Sequence, residues 1–134
     1  VDPFYTATWP LFTLRLTIVT LKEANASAVY RPELNLWANR LIMGTHQELN
    51  WVKFEPGSKY PLHSHPYEQV SVVVQGRMLL TVGKAVREAG PGDMWHAPSE
   101  VPHGGEILGD EAVVFIDVYS PASEGHDGSV TYYE

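Results

Sequence analysis

Two closely spaced histidines precede an apolar, β-type run in residues 57–76, which read GSKYPLHSHPYEQVSVVVQG. Residues i and i+2 of a strand project to the same side, so we expect His63 and His65 to point together. Pro66 then bends the chain, and Gln69 is the first residue of the next predicted strand. Two imidazoles and a side-chain amide could therefore meet at one cation. The spacing alone leaves open the alternative of two solvent-exposed histidines at a strand end.

A single carboxylate interrupts the apolar stretch AVVFIDVYSP, residues 112–121. Asp117 shares its strand parity with Phe115 and Tyr119, and the opposite parity is just as apolar, so we expect this strand to be covered on both faces. An unpaired buried charge is too costly, and Asp117 must therefore have partners or stay protonated. Two interpretations follow: a structural acid held by hydrogen bonds, or an acid that binds substrate and transfers a proton.

The composition excludes several classes of function. The chain has 134 residues and a net charge of −7, from 16 acidic and 9 basic residues. Its lysines and arginines form no cluster, so neither nucleic acid nor an anionic membrane surface is an expected partner. Because cysteine is absent, a metal would be bound by histidine, carboxylate or amide groups. No apolar run is long enough to span a membrane and no signal peptide is visible, so a cytoplasmic location is the default expectation.

Short runs rich in Val, Ile, Leu, Thr and aromatic residues alternate with turns that contain glycine or proline. No long stretch has a 3.6-residue apolar period, and residues 21–34 could hold one helical turn at most. This pattern predicts a single all-β domain, either a sandwich or a barrel. The predicted strands are residues 12–21, 34–43, 48–55, 69–75, 77–82, 93–97 and 112–120.

The histidine pair belongs to a longer motif. The pattern Gly57-x5-His63-x-His65-x3-Gln69-x6-Gly76 resembles the first motif of the cupins, G-x5-H-x-H-x3-E-x6-G. The cupins are a superfamily of small β-barrels, also described as jelly rolls or double-stranded β-helices. The resemblance implies that fold for this chain.

A second cupin motif follows at a plausible separation. Residues 92–103 begin with a Gly-Asp turn, continue through a short strand to Pro98, and end at Pro102-His103. The resemblance thus covers residues 34–121. In the family, the two histidines, the acid and the later histidine bind one divalent metal ion. Carried over to this chain, the implied ligands are His63, His65, Gln69 and His103.

One position departs from the family pattern, because Gln69 stands where the motif has an acid and Glu68 comes one residue earlier. Either Glu68 is the ligand through a shifted register, or the amide is. We expect the amide, since a slip of one residue would turn over every side chain of residues 69–75. Three imidazoles and an amide carry no charge, so a bound Zn, Ni, Mn or Fe ion would act as a strong Lewis acid.

A closer resemblance involves the strand that contains Asp117. The pattern HSHP-x-EQ followed by D-V-[FY]-S-P is similar to the small cupins of pectin and alginate breakdown, which open 4,5-unsaturated monouronates. These proteins use an Asp, an aromatic residue two positions later, and an Arg six positions after the Asp. Asp117 and Tyr119 match as catalytic residues, whereas the Arg position is Ser123. An arginine from a neighbouring strand could replace it, and the candidates are Arg15, Arg40 and Arg77.

The sequence therefore predicts a single-domain cupin with an N-terminal extension (1–33), a barrel (34–121) and a C-terminal tail (122–134). We expect the extension to help form a homodimer, and Tyr67, Trp95 or His96 could line the cavity. The leading hypothesis is a metal-dependent enzyme without redox change, of the isomerase, lyase or cyclase type, that acts on a small oxygenated molecule. The alternatives are an Fe(II)-dependent dioxygenase and a non-catalytic, ligand-binding or accessory cupin that keeps the metal as a structural clasp.

Overall fold

The structure, a computed structural model, describes residues 18–122 and 129–133 of the chain. Within these residues, eleven strands form two antiparallel sheets that share one hydrophobic core. In spatial order, sheet A contains β1 (Val29–Arg31), β2 (Leu36–Met43), β3 (Glu48–Phe54), β10 (Val113–Ser120), β5 (Glu68–Gln75) and β8 (Met94–Ala97). Sheet B contains β11 (Thr131–Tyr132), β4 (Lys59–Ser64), β9 (His103–Leu108), β6 (Arg77–Val82) and β7 (Ala85–Ala89). This architecture confirms the predicted all-β barrel.

Successive strands alternate between the sheets from β3 to β6, and this alternation creates the site. Strands β4 and β5 are neighbours in sequence but belong to sheets B and A, respectively. The residues at their adjoining ends therefore face one another across the barrel interior. His63 and His65 approach from sheet B and Gln69 approaches from sheet A.

Strand β5 shows why the register of these residues is fixed. Gln69, Ser71 and Val73 are buried, whereas Glu68 and Val70 are exposed. The strand ends at Gln75, and the next residue, Gly76, has a φ of 78° that suits glycine; a Cβ atom there would lie 2.5 Å from the carbonyl oxygen of Ala112. The last glycine of the first cupin motif is thus required by the close approach of two chain segments at the β5–β6 turn.

The core between the sheets is largely aromatic below the histidines. Phe54 and Phe115 from sheet A pack against Tyr60 from sheet B, with ring centroids 5.1 and 5.5 Å from that of Tyr60. All three side chains are at most 1% exposed. This packing fills the barrel interior next to the histidines, with the Tyr60 ring centroid 5.1 Å from that of His63.

The N-terminal part differs from the predicted strand at 12–21. Residues 12–17 of it lie outside the described residues, and residues 18–20 form no strand. Helix α1 (Leu21–Ala26) begins there because Thr20 and Glu23 form a reciprocal capping box. Ala24 of the helix packs on the outer face of sheet A against a second apolar cluster that includes Trp51 and Val114. The sequence predicted at most one helical turn in this region, and the six residues of α1 form somewhat more than one turn.

Both predicted end segments contribute strands to the barrel. Strand β1 of the extension pairs with β2, and β11 of the tail pairs with β4. The domain boundaries themselves stay a prediction. Among the described residues, no helix has the length and apolar character that crossing a membrane requires.

Candidate metal centre

Three buried histidines meet inside the barrel. His63 in β4 and His103 at the start of β9 are directly paired across sheet B, and His65 follows the end of β4. Each is at most 1% exposed. One ring nitrogen from each lies within 4.8 Å of the corresponding nitrogens of the other two. The structure therefore brings together the three histidines that the cupin motifs single out.

The backbone fixes how each imidazole presents its nitrogens. The Nδ1 atoms of His63, His65 and His103 lie 2.8, 2.7 and 3.0 Å from the carbonyl oxygens of residues 61, 67 and 101, respectively. A carbonyl oxygen can only accept, so each Nδ1 carries the hydrogen and donates it. In a neutral ring, the Nε2 atom is then left with a lone pair. This backbone arrangement is the one that orients histidines as metal ligands.

Gln69 presents its carbonyl oxygen to the same point. Its Oε1 atom lies 3.2 Å from Nε2 of His65 and 3.1 Å from Nε2 of His103. Its amide nitrogen faces the other way and donates to Ser71 Oγ at 3.0 Å and to Asp117 Oδ1 at 3.1 Å. These two acceptors determine which end of the amide points at the histidines.

The donor set fits a cation. With Nδ1 protonated, the Nε2 atoms of His65 and His103 and the Oε1 atom of Gln69 are all acceptors, so their approaches of 3.1–3.2 Å contain no hydrogen. Such a cluster is repulsive unless a positive charge lies between its members. Three imidazole nitrogens and one amide oxygen suit Zn, Ni, Mn or Fe. The residues that would hold the ion are His63, His65, Gln69 and His103.

Burial keeps His63 and His103 neutral and able to bind a metal. Burial, followed by the nearby His103 ring, lowers the pKa of His63 from 6.5 to about 3. Burial likewise lowers the pKa of His103 to about 4, and its hydrogen bond to the Val101 carbonyl opposes that effect. Protons therefore do not compete with a metal at these two rings near pH 7.

Asp117 lies directly behind Gln69, on the inner face of β10. It is fully buried, and it accepts hydrogen bonds from Ser71 at 2.5 Å, from Gln69 at 3.1 Å and from Tyr119 at 3.3 Å. Strand register explains the cluster, because β10 pairs with β5 so that Asp117 opposes Ser71 and Tyr119 opposes Gln69. The carboxylate that the sequence required to have partners is thus part of the network that orients Gln69.

The two residues whose contribution the sequence left open both lie outside the barrel. Glu68 and His96 are about half exposed, and His96 Nε2 forms a hydrogen bond of 2.6 Å with Glu68 Oε2 on the outer face of sheet A. Glu68 therefore points away from the histidines, as its strand parity predicts. A shifted register that would bring it inward does not occur.

The arginine candidates have different positions. Arg77 is exposed and pairs with Glu88 at 2.9 Å. Arg40 is 4% exposed, and its Nε lies 3.2 Å from Glu48, in a buried network that also includes Asn50. Arg15 and the motif position Ser123 lie outside the described residues. Of the two candidates that the structure describes, only Arg40 is buried, and the buried Glu48 carboxylate already balances its charge.

Sequence reasoning missed two residues near the histidines. Ser71 donates a hydrogen bond of 2.5 Å to Asp117, and its strand parity with Gln69 was the available signal. Tyr132 opposes His63 across the β4–β11 pair, and the two rings stack with centroids 5.8 Å apart. The sequence does not indicate that Tyr132 lies near His63, because pairing of the C-terminal tail with β4 is a long-range contact.

Fold and site together define a class: a two-sheet β-barrel that holds a buried three-histidine, one-amide centre. Comparison with protein families gives the same result, since residues 50–119 match the Cupin domain family model. The chain belongs to the cupin family.

Solved structures support the fold. An RmlC-like cupin from Shewanella frigidimarina NCIMB 400 is 24% identical, with 75% of this chain and 90% of that chain covered and a TM-score of 0.67. KdgF from Halomonas sp. is 27% identical over 69% and 85% of the two chains, with a TM-score of 0.63. TT1209 from Thermus thermophilus is 22% identical over 80% and 99%, with a TM-score of 0.68. No curated protein matched the sequence.

Proposed function

We propose that this cupin is a metal-dependent enzyme that performs non-redox chemistry of the isomerase, lyase or cyclase type on a small oxygenated substrate. The observation that carries the proposal is the meeting of imidazole lone pairs and the Gln69 carbonyl oxygen inside the barrel. A divalent ion bound by these groups supplies Lewis-acid polarisation of a substrate carbonyl, hydroxyl or enol oxygen. The neutral donor set favours this role, because no ligand charge offsets that of the ion.

The chain's own contribution to the reaction centres on Asp117. Its Oδ1 atom is engaged by Gln69 and Ser71, and its Oδ2 atom lies 3.3 Å from the Tyr119 hydroxyl. We assign Oδ2 as the atom that gains or gives up a proton, and Tyr119 as the hydroxyl that positions it. Because both side chains are fully buried, water does not compete for that proton.

The preferred substrate class is a sugar acid, such as an unsaturated uronate. The residue-by-residue resemblance of His63, His65, Gln69, Asp117 and Tyr119 to the uronate-opening cupins supports this choice. Ring opening requires activation of a ring or anomeric oxygen and movement of one proton, and the centre and Asp117 are suited to these two tasks. We also expect the protein to be a homodimer, which size-exclusion chromatography with light scattering tests.

Elemental analysis of the purified protein, combined with a substrate screen, tests the proposal. Unsaturated uronates and related keto compounds should be assayed with and without oxygen. We expect about one metal ion per chain and equal rates in both atmospheres. Turnover that consumes oxygen would replace the proposal with the dioxygenase alternative. Stoichiometric metal without any turnover, together with a melting temperature that falls on chelation, would favour the structural clasp.

A further inference from the structure

A cleft opens between the free edges of the two sheets, on the side where β7 and β8 end them. It has a volume of about 370 Å³. Strands β6 and β7 pair so that Leu80 is opposite Arg87 and Val82 is opposite Ala85, which places these four side chains on the same face of the hairpin. Leu80 is buried, so this face of the hairpin looks toward the barrel interior. The apolar wall consists of Leu80, Val82, Ala85 and Ala89.

Arg87 supplies the cleft with a positive charge. Its neighbours along the cleft are engaged elsewhere: Glu88 pairs with Arg77, Asp93 accepts the Gly90 amide at 2.8 Å, and His96 pairs with a glutamate on the outer face. Within residues 18–122 and 129–133, the Arg87 guanidinium has neither an ion pair nor a hydrogen bond. It is therefore available to an anion from solution.

Trp95 adds a buried donor at the inner end. Its side chain lines the cleft, is 8% exposed and packs against Phe115 with ring centroids 5.2 Å apart. The indole N–H has no acceptor among the described residues. An unsatisfied buried donor is costly, so a ligand that brings an acceptor would be favoured here. The cleft thus has an exposed guanidinium and, within the Trp95 side chain of its wall, an N–H without an acceptor, and both groups favour a ligand that carries oxygen acceptors.

The cleft adjoins the metal centre. Trp95 opposes Ser71, which bonds to Asp117, and Val82 opposes His103. Directly paired residues of neighbouring strands have their Cβ atoms about 5 Å apart. We propose that this cleft binds the carboxylate of the substrate, with Arg87 and the Trp95 N–H as donors, so that the oxygen to be activated faces the histidines. This assignment rests on the proposed function and names the residues that would recognise the carboxylate of the preferred sugar acids.

NMR of the ¹⁵N-labelled full chain tests the assignment through the Trp95 indole resonance, identified with Trp95→Phe. The probes are D-galacturonate and D-galactose, a pair that differs in the carboxylate, added at constant ionic strength to metal-free and zinc-loaded protein. We expect galacturonate to shift the Trp95 resonance and galactose to leave it unchanged. Arg87→Gln should raise the dissociation constant of galacturonate at least tenfold, whereas Lys22→Gln, which removes an equal charge from the exposed surface of helix α1, should change it less than twofold.

The outcomes separate the two proposals. The cleft assignment is overturned if zinc-loaded protein binds galacturonate without a shift of the Trp95 resonance, or if Arg87→Gln binds it with the affinity of wild type. Either result leaves the proposed metal-dependent function unaffected. A galacturonate-dependent Trp95 shift in a protein that takes up no metal supports the cleft and overturns the proposed function. Equal shifts with galactose would overturn carboxylate recognition.

Discussion

Substitution of Gln69 by glutamate tests how the buried amide is held. The change preserves shape, but it places a carboxylate oxygen where the amide nitrogen now lies 3.1 Å from Asp117 Oδ1. Two unit charges at that separation repel by about 5 kcal/mol at an effective dielectric constant of about 20. The metal-free variant should therefore retain one proton on the pair, and the pKa of that shared proton should lie well above the usual carboxyl range.

The sign of the resulting pH dependence follows from proton uptake. The folded variant binds a proton that the unfolded chain releases near pH 4–5, so stability falls as pH rises above that range. The loss amounts to about 1.4 kcal/mol per pH unit, or roughly 3 kcal/mol between pH 5 and pH 7. Urea unfolding in the presence of a chelator, monitored by tryptophan fluorescence, measures this loss as the difference in the free energy of unfolding between the variant and wild type at each pH.

A matched control lies on the same strand. Gln75→Glu makes an identical change at an exposed position, where the amide donates only to the Ala112 carbonyl at 3.1 Å. Its stability should follow the pH dependence of wild type. If Gln69→Glu and Gln75→Glu gave the same pH dependence, Gln69 would not face Asp117 as described, and the account of the amide's orientation would be wrong.

Three further predictions concern the same centre. His65→Ala should purify with less than a tenth of the wild-type metal content, whereas His96→Ala, on the outer face, should keep it; elemental analysis distinguishes them. Asp117→Asn should retain the metal but lower kcat at least 100-fold on any substrate found, and retained activity would remove Asp117 from the mechanism. The metal-free protein should lose stability as pH falls from about 6.5 toward 3. The pKa values of His63 and His103 are lowered in the folded state, so both rings take up a proton when the chain unfolds in this range. The loss amounts to about 1.4 kcal/mol per pH unit for each ring. Urea unfolding between pH 4 and pH 7 checks this, and a flat profile would contradict it.

Much of the barrel could be predicted because its inner strands are short runs of β-branched, aromatic and other apolar residues bounded by turns. Strand β6 has the predicted bounds, and β5 and β10 differ from theirs by one residue at one end. Strand β7 was missed because four of its five residues are exposed, which leaves no alternation to detect. Strand β9 was missed because Gly104 and Gly105 are atypical of strands; there, Cβ atoms would lie 2.7 and 2.5 Å from backbone oxygens of the adjacent strands.

The site was predictable only where residues are close in sequence or belong to a family motif. Strand parity placed Gln69 inward and Glu68 outward, and burial agrees for both. The bonds from Ser71 to Asp117, the Tyr132–His63 stack and the Arg87–Trp95 cleft depend on which strands are neighbours. Strand order comes from long-range pairing, which one sequence without its relatives does not reveal.

The most direct test of the centre is a long-range ¹H–¹⁵N spectrum of the histidine side chains, recorded before and after one equivalent of zinc. In the described arrangement, His63, His65 and His103 are protonated at Nδ1 and present Nε2 to the ion. We predict that zinc shifts the Nε2 signals of these three rings while their Nδ1 signals keep the protonated form, and that His96 is unaffected. Zinc that leaves all three Nε2 signals in place would contradict a metal centre at this site.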